Sequence, residues 1–335
     1  MSSNKWLNLR NLLVLLGLVG LAVVILLNHH QFADFWHLLK TLRWYVVVII
    51  VIVQLASYWV NSLYYRSILK IFSHDVGLLR LFEGALATNF VNYVVPTAGL
   101  AGAGYMSQVL SPEVPRGKGV LTQLMRYALS GLAVVIMMPI GFVLILLSNK
   151  SSQPIVKITL ASALAIIIVG ISIVILVEHE RQARQAAIWT AKHLRRILPK
   201  LSVAALDRFI DEFYIGYRAM TSQKRRMLVP VGWSIIYIAI EIATFYLAFL
   251  AFGRVLNPGI VVMAYLFANI ASIFGGIFFS TGIFELGMAG TLVALGTPFV
   301  LALSVTTVYR VLNLLVGLPP GLYYYKKYLP RRKSL

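Results

Sequence analysis

Cysteine is absent from the 335 residues, so disulfide frameworks, thiol catalysis and cysteine metal sites are excluded at the outset. Acidic residues are scarce, 11 against 30 lysines and arginines, and only Glu83, Glu241 and Glu285 fall inside apolar segments. None of the six histidines sits in the middle of an apolar run, and no metal-ligand spacing appears. No P-loop, nucleophile elbow or kinase signature occurs, so nothing supports ATP hydrolysis or nucleophilic catalysis, and no cofactor or metal is expected. Charge of either sign is thin, at 12% of residues. Apolar residues take its place: 59% of the chain is hydrophobic and the mean hydropathy is +0.83. No soluble globular class has that balance.

Apolar runs near the ~20 residues needed to cross about 30 Å of hydrocarbon recur along the chain. They are continuous rather than alternating, which argues against a β-barrel. The expected fold is an all-α polytopic membrane protein. Plain spans read at 11–28, 44–65, 119–147, 155–177, 228–252 and 298–325. Two regions, 78–110 and 258–296, are too long for one crossing and too rich in Gly, Asn and Pro for a plain helix. Each is drawn as a helix–break–helix hairpin that enters and leaves on one side, giving about six full spans plus two re-entrant hairpins. The amino terminus resembles a signal peptide, but Leu27 is followed by Asn28-His29-His30-Gln31 with no small-residue cleavage site, so an uncleaved first helix is expected.

The net charge of +19 invites a nucleic-acid reading, yet the cations sit in loops between apolar runs, where they orient a membrane protein. With the amino terminus cytoplasmic, eleven basic residues from Arg181 to Arg226 and five in the tail 326–335 fall on the cytoplasmic side of the cell membrane. The outer loops hold only Lys40, Arg43, Lys150 and Arg254. Both termini are then cytoplasmic. The segment 178–227 reads as an amphipathic cytoplasmic loop lying on the anionic leaflet. On this drawing 44–148 and 228–325 are repeats facing opposite ways, with 155–177 as a linking helix. The whole chain forms one membrane domain.

The repeats are marked by two motifs. The first runs from Asn89 and Asn92 through Pro96 and Gly99 to Gly102 and Gly104. The second runs from Asn269 through Gly275-Gly276 and Ser280-Thr281-Gly282 to Glu285. Each precedes an apolar helix with one arginine, Arg126 or Arg310, at spacings 126 − 99 = 27 and 310 − 282 = 28. Paired, interrupted apolar segments point to the binding site of a secondary transporter, and half-helix N-termini attract anions. Close helix packing by small residues explains a single glycine cluster as well. A guanidinium at mid-depth, where a charge costs about 2.5–3.5 kcal/mol, either recognises an oxyanion or pairs internally, as Arg310 with Glu285. Arg126 has the further option of snorkelling to the cytoplasmic surface. Glu241 reads as a coupling group or a permanently hydrogen-bonded acid, and Glu83 is a second coupling candidate. The substrate-binding candidates are Asn89, Asn92, Pro96, Gly99, Arg126, Asn269, Gly276, Ser280, Gly282, Glu285 and Arg310.

At these motifs the chain resembles the lysylphosphatidylglycerol synthase transmembrane-region, or flippase-like, family over residues 10–328. The matching positions are Pro96, Gly99, Gly282, Glu285 and Tyr309-Arg310. The resemblance implies two re-entrant hairpins and movement between leaflets of aminoacylated phosphatidylglycerol, or of another lipid, such as an anionic phospholipid, or a lipid-linked sugar. Where many relatives carry an acid and an arginine after the first glycine cluster, this chain has Tyr105-Met106-Ser107-Gln108. Full-length synthases add a soluble lysyl-transfer domain that this sequence does not contain, so lysyltransferase activity is expected only with a separate lipid-synthesising partner enzyme. A lipid translocase, such an enzyme, a small-solute carrier and a scaffold remain the competing readings. Homo-oligomerisation, headgroup and energy source stay open.

Overall fold

The computed structural model describes residues 40–95, 99–147, 178–194, 222–275 and 282–328, with isolated positions from 207 to 218. The expected helices 11–28 and 155–177, part of the loop 178–227 and the tail beyond 328 lie outside the described residues, as do Pro96, Gly276 and Ser280. Among the described residues every regular element is a helix. In chain order these are α1 (Trp44–Ile71), α2 (Leu78–Val94), α3 (Leu100–Leu110), α4 (Arg116–Leu146), α5 (Glu180–Leu194), α6 (Lys224–Ala251), α7 (Pro258–Gly275), α8 (Ile283–Ala294) and α9 (Phe299–Lys327). Four of them, α1, α4, α6 and α9, are long and apolar enough to cross a membrane.

Two four-helix units repeat the same plan, α1–α4 and α6–α9. Their helices run to 28, 17, 11 and 31 residues in the first unit and 28, 18, 12 and 29 in the second. Matching positions differ by 180 through the first two helices, as 258 − 78 = 180, and by 183 beyond the break, as 282 − 99 = 183. The turn after each long first helix is the same: Phe72-Ser73 and Phe252-Gly253, with the second residue at φ 60° and 65°. Pro115 and Pro298 precede the fourth helices at nearly identical dihedrals. Their missing N–H and fixed φ suit a helix start.

The units are antiparallel. The Arg43 N–H donates to Ala251 O (2.8 Å), and at the far end the Gln223 side chain donates to Ile71 O (3.5 Å), so α1 and α6 run alongside each other in opposite directions. Each second helix packs on the other unit's fourth helix, α2 on α9 and α7 on α4. Small residues allow both approaches. A β-carbon on Gly321 would stand 2.7 Å from Leu86 O, and one on Gly259 would stand 2.6 Å from Gly141 O. The main core lies at the α4–α6–α7–α9 junction around Phe245, Phe249, Met263 and Val305.

The two ends of the bundle differ in charge. The end where α1 and α3 finish and α2, α4 and α6 begin carries Arg66, Lys70, Arg80, Arg116, Lys118, Arg225 and Arg226, with Lys326 and Lys327 closing α9. At the opposite end the described basic residues are Lys40, Arg43 and Arg254. The basic end is stitched by ion pairs, Arg66–Asp75 (2.6 Å), Arg80–Glu113 and Lys327–Glu83 (2.7 Å).

Candidate functional site

Between the two units lies a cavity of about 130 Å³, lined by residues of α1, α2, α4, α6, α7, α8 and α9. That is far more than one water needs. Its wall is polar although the helices around it are apolar. Amides (Gln54, Asn61, Asn89, Asn92, Gln123, Asn313), phenols and three charged groups, Arg126, Arg310 and Glu241, converge there.

Arg126 enters from α4. That helix begins at Arg116, three residues before the boundary expected from hydropathy, so Arg126 stands ten residues in, about 15 Å from the end at 1.5 Å per residue. At that depth it does not snorkel. Its Nε donates to Asn61 Oδ1 (2.7 Å), and its guanidinium carbon lies 5.3 Å from the Tyr65 ring centre, 5.3 Å from Tyr237 and 5.8 Å from Tyr127. Such ring contacts favour a cation over the aromatic face. Among the described residues no carboxylate forms an ion pair with Arg126. Beside it, the Gln123 side chain is 0% exposed and its Nε2 has no hydrogen-bond partner; the Gln123 Oε1 accepts a close bond from the Tyr65 hydroxyl.

Arg310, on α9, has a carboxylate. Its Nε lies 2.5 Å from Glu285 Oε1, an ion pair too poorly aligned to count as a hydrogen bond, and its Nη1 donates to the Tyr93 hydroxyl (3.0 Å). The other Glu285 oxygen accepts the Gly282 N–H (2.9 Å), capping the start of α8. Arg310 thus ties the end of α2, through Tyr93, to the start of α8, and the two broken regions meet at this residue. Gly99 and Gly282 open the second half-helices at φ 85° and 103°, a region where side chains are strained.

Equivalent contacts show that the two arginines are not equivalent positions. Asn61 and Glu241 match (241 − 61 = 180), as do Tyr65 and Phe245. Arg126 on Asn61 and Tyr65 therefore corresponds to Tyr309, whose hydroxyl donates to Glu241 Oε2 (2.9 Å) and whose ring is edge-on to Phe245 (5.2 Å). Arg310 corresponds to Tyr127, whose hydroxyl donates to Gly99 O (3.4 Å) just as Arg310 holds the cap at Gly282. The Arg-Tyr pair of one unit is Tyr-Arg in the other. This explains the spacings of 27 and 28: one residue turns a helical position by about 100°.

Glu241 is 3% exposed and accepts three bonds from neutral groups. They are Gln54 Nε2 (3.0 Å) and the Ser57 hydroxyl on Oε1, and the Tyr309 hydroxyl on Oε2. Asn89 donates to the Tyr58 hydroxyl (2.6 Å). Asn92 accepts the Gly102 N–H (3.1 Å), capping α3 across the break, and donates to Tyr127 (3.1 Å). Two candidates stand apart. Asn269 donates to Tyr265 O (2.9 Å) within its own helix, and Glu83 accepts from Lys327 and Tyr328 (2.6 Å) at the basic end. Sequence reasoning missed Gln54, Asn61, Tyr65, Tyr93 and Gln123. Spacings of 3, 4, 7 and 11 put Gln54, Ser57, Tyr58, Asn61 and Tyr65 on one face of α1, a polar stripe on an apolar helix that was legible.

A family model described as the lysylphosphatidylglycerol synthase TM region matches residues 11–321. The chain belongs to that family. It is accordingly a membrane protein of a lipid-related family, and the whole cavity falls within the matched range. No curated protein and no solved structure matches it.

Proposed function

We propose that the protein binds the anionic headgroup of a membrane phospholipid or lipid-linked glycan in this cavity and passes it between leaflets. The observation that carries the reading is Arg126: a cation deep in the bundle, held by phenols and an amide, with no carboxylate partner among the described residues. A buried guanidinium with no carboxylate in contact is expensive, so the site favours a phosphate that supplies one. Arginine offers such an oxyanion a planar, two-pronged donor. Gln123 Nε2 is an unused donor beside it. Arg310 supplies the second guanidinium, held on Glu285. The family's name belongs to a lipid-modifying enzyme; this reading concerns the membrane region alone. By the distribution of basic residues, the end bearing Arg80, Arg116 and Lys327 faces the cytoplasm of a cell membrane.

Leaflet exchange of fluorescent phosphatidylglycerol in proteoliposomes tests the reading. Arg126→Gln is expected to slow exchange about tenfold or more, the worth of one charge-assisted contact. Arg126→Lys should fall between, keeping the charge but losing the fork and ring stacking. Arg310→Gln is expected to lower both exchange and stability, because it strands Glu285. Wild-type exchange in Arg126→Gln would refute the reading.

A further inference from the structure

We propose that the end of α9, residues 321–328, is a gate that swings on Pro319-Pro320 and lets a headgroup reach the cavity from the basic end of the bundle. This rests on the headgroup reading above and adds the route of entry. The seam between α2 and α9 runs from the cavity to that end. At the cavity the Tyr93 hydroxyl donates to Asn313 Oδ1 (3.2 Å). One turn further along α9, a β-carbon on Gly317 would lie 3.4 Å from Asn89 Nδ2. Gly321 on Leu86 O comes next, and Lys327 on Glu83 closes the seam. Whatever enters along this seam passes residues 321–328.

The contacts that close this segment are largely polar. Lys327 Nζ donates to both Glu83 oxygens (2.9 and 2.7 Å), and the Tyr328 hydroxyl donates to one of them (2.6 Å). From α3, the Tyr105 hydroxyl donates to Tyr325 O (2.9 Å) and Gln108 Nε2 donates to Tyr328 O (2.8 Å). The carbonyls that end α9 are thus held from outside the helix. The apolar part of the seam is a small cluster of Ala87, Val91, Tyr105 and Val109. Immediately before the segment, Pro319 and Pro320 stand inside α9. Two successive prolines remove the N–H groups that would bond the Leu315 and Val316 carbonyls, leaving a weak point on which the helix end turns.

The other unit builds the matching seam, α7 on α4, without either device. By the same offsets of 180 and 183, Glu83, Tyr105, Lys327 and Tyr328 correspond to Met263, Met288, Leu144 and Ile145, and Pro319-Pro320 to Ile136-Met137. A single proline, Pro139, stands inside α4. Met137, Ile145, Met263 and Met288 are buried in the main core, and Leu144 packs against it. Packing therefore does not require a polar latch or a double proline at these positions. Parting the apolar seam exposes hydrocarbon, whereas parting the α2–α9 seam exchanges hydrogen bonds between side chains for hydrogen bonds to water. The Lys327 side chain is already 49% exposed, and an ion pair so placed holds weakly.

The test reads access to the cavity without any lipid. Thr88, on α2, lines the cavity and is 2% exposed, so a cysteine there reacts only when the cavity opens. The chain is otherwise free of cysteine. Purified Thr88→Cys is treated with the small, water-soluble sulfonatoethyl methanethiosulfonate, and the rate of modification is measured. Adding Glu83→Gln loosens the latch and is expected to raise that rate about fivefold or more. Glu83 lies outside the cavity, so this change alters access and not the site. Adding Pro319→Ala and Pro320→Ala together restores two backbone hydrogen bonds and is expected to lower the rate about fivefold, with a melting temperature no lower than the parent's. A merely loosened bundle cannot give that second result. With Thr88 restored, the double alanine variant should slow exchange of fluorescent phosphatidylglycerol in proteoliposomes by a similar factor. An unmoved rate in Glu83→Gln, or an unmoved or faster rate in the double alanine variant, overturns the gate. Slowed labelling with undiminished exchange overturns it as the lipid's route. Wild-type exchange in Arg126→Gln, with labelling still answering to latch and hinge, removes the headgroup reading and leaves the gate.

Discussion

At Gly102 the chain has no room for a β-carbon, because Asn92 reaches across the break and its amide occupies that space while capping the Gly102 N–H. Gly102→Ala must push Asn92 off, freeing a buried N–H and breaking the Asn92–Tyr127 bond. The expected cost is about 1–3 kcal/mol. Two residues on, Gly104 is exposed, and a β-carbon there would meet nothing within 4 Å, so Gly104→Ala should be neutral or gain up to about 1 kcal/mol of helix propensity. Thermal unfolding in detergent separates the pair, and equal melting temperatures would mean Asn92 is no cap. The arginines also differ at this scale. Arg310 comes with Glu285, so its charge is largely spoken for, whereas Arg126 rests on rings and an amide.

The elements were mostly legible in the chain. Gly and Asn clustering marked both broken regions, and the described helices α2–α3 and α7–α8 fall inside 78–110 and 258–296. The repeat was legible too, from Gly99 and Gly282 and the arginines that follow. Its register was not. Two residues of like charge at spacings of 27 and 28 read as counterparts, and only their contacts, Arg126 on Asn61 and Arg310 on Glu285, reveal the one-residue offset. The second helix of the later unit is one residue longer and the break after it two residues longer, a three-residue offset that hides the alignment from a fixed-period comparison. Hydropathy also began α4 at 119, because Arg116 and Lys118 look like loop; the Pro115 start, whose carbonyl accepts the Gly119 N–H (3.1 Å), carries the helix three residues further. That placed Arg126 too near the surface. The polar stripe of α1 went unread because its average hydropathy is that of a plain span.

At the scale of the molecule, two antiparallel units enclose one cavity, and each contributes a cation while one contributes Glu241. The orientation proposed from the basic end is open to labelling, which is clean in a chain without cysteine. A cysteine at Gln185, in α5, is expected to stay unreactive to an impermeant reagent in intact cells and to react once they are permeabilised. Labelling in intact cells would invert the topology. The central claim is that this cavity takes an anionic headgroup on Arg126. Native mass spectrometry of gently purified protein tests it most directly, comparing wild type with Arg126→Gln and with Glu83→Gln, which lies outside the cavity. The account predicts bound anionic phospholipid or lipid-linked glycan on wild type and Glu83→Gln, and its loss from folded Arg126→Gln. Equal retention of that lipid by Arg126→Gln would contradict it.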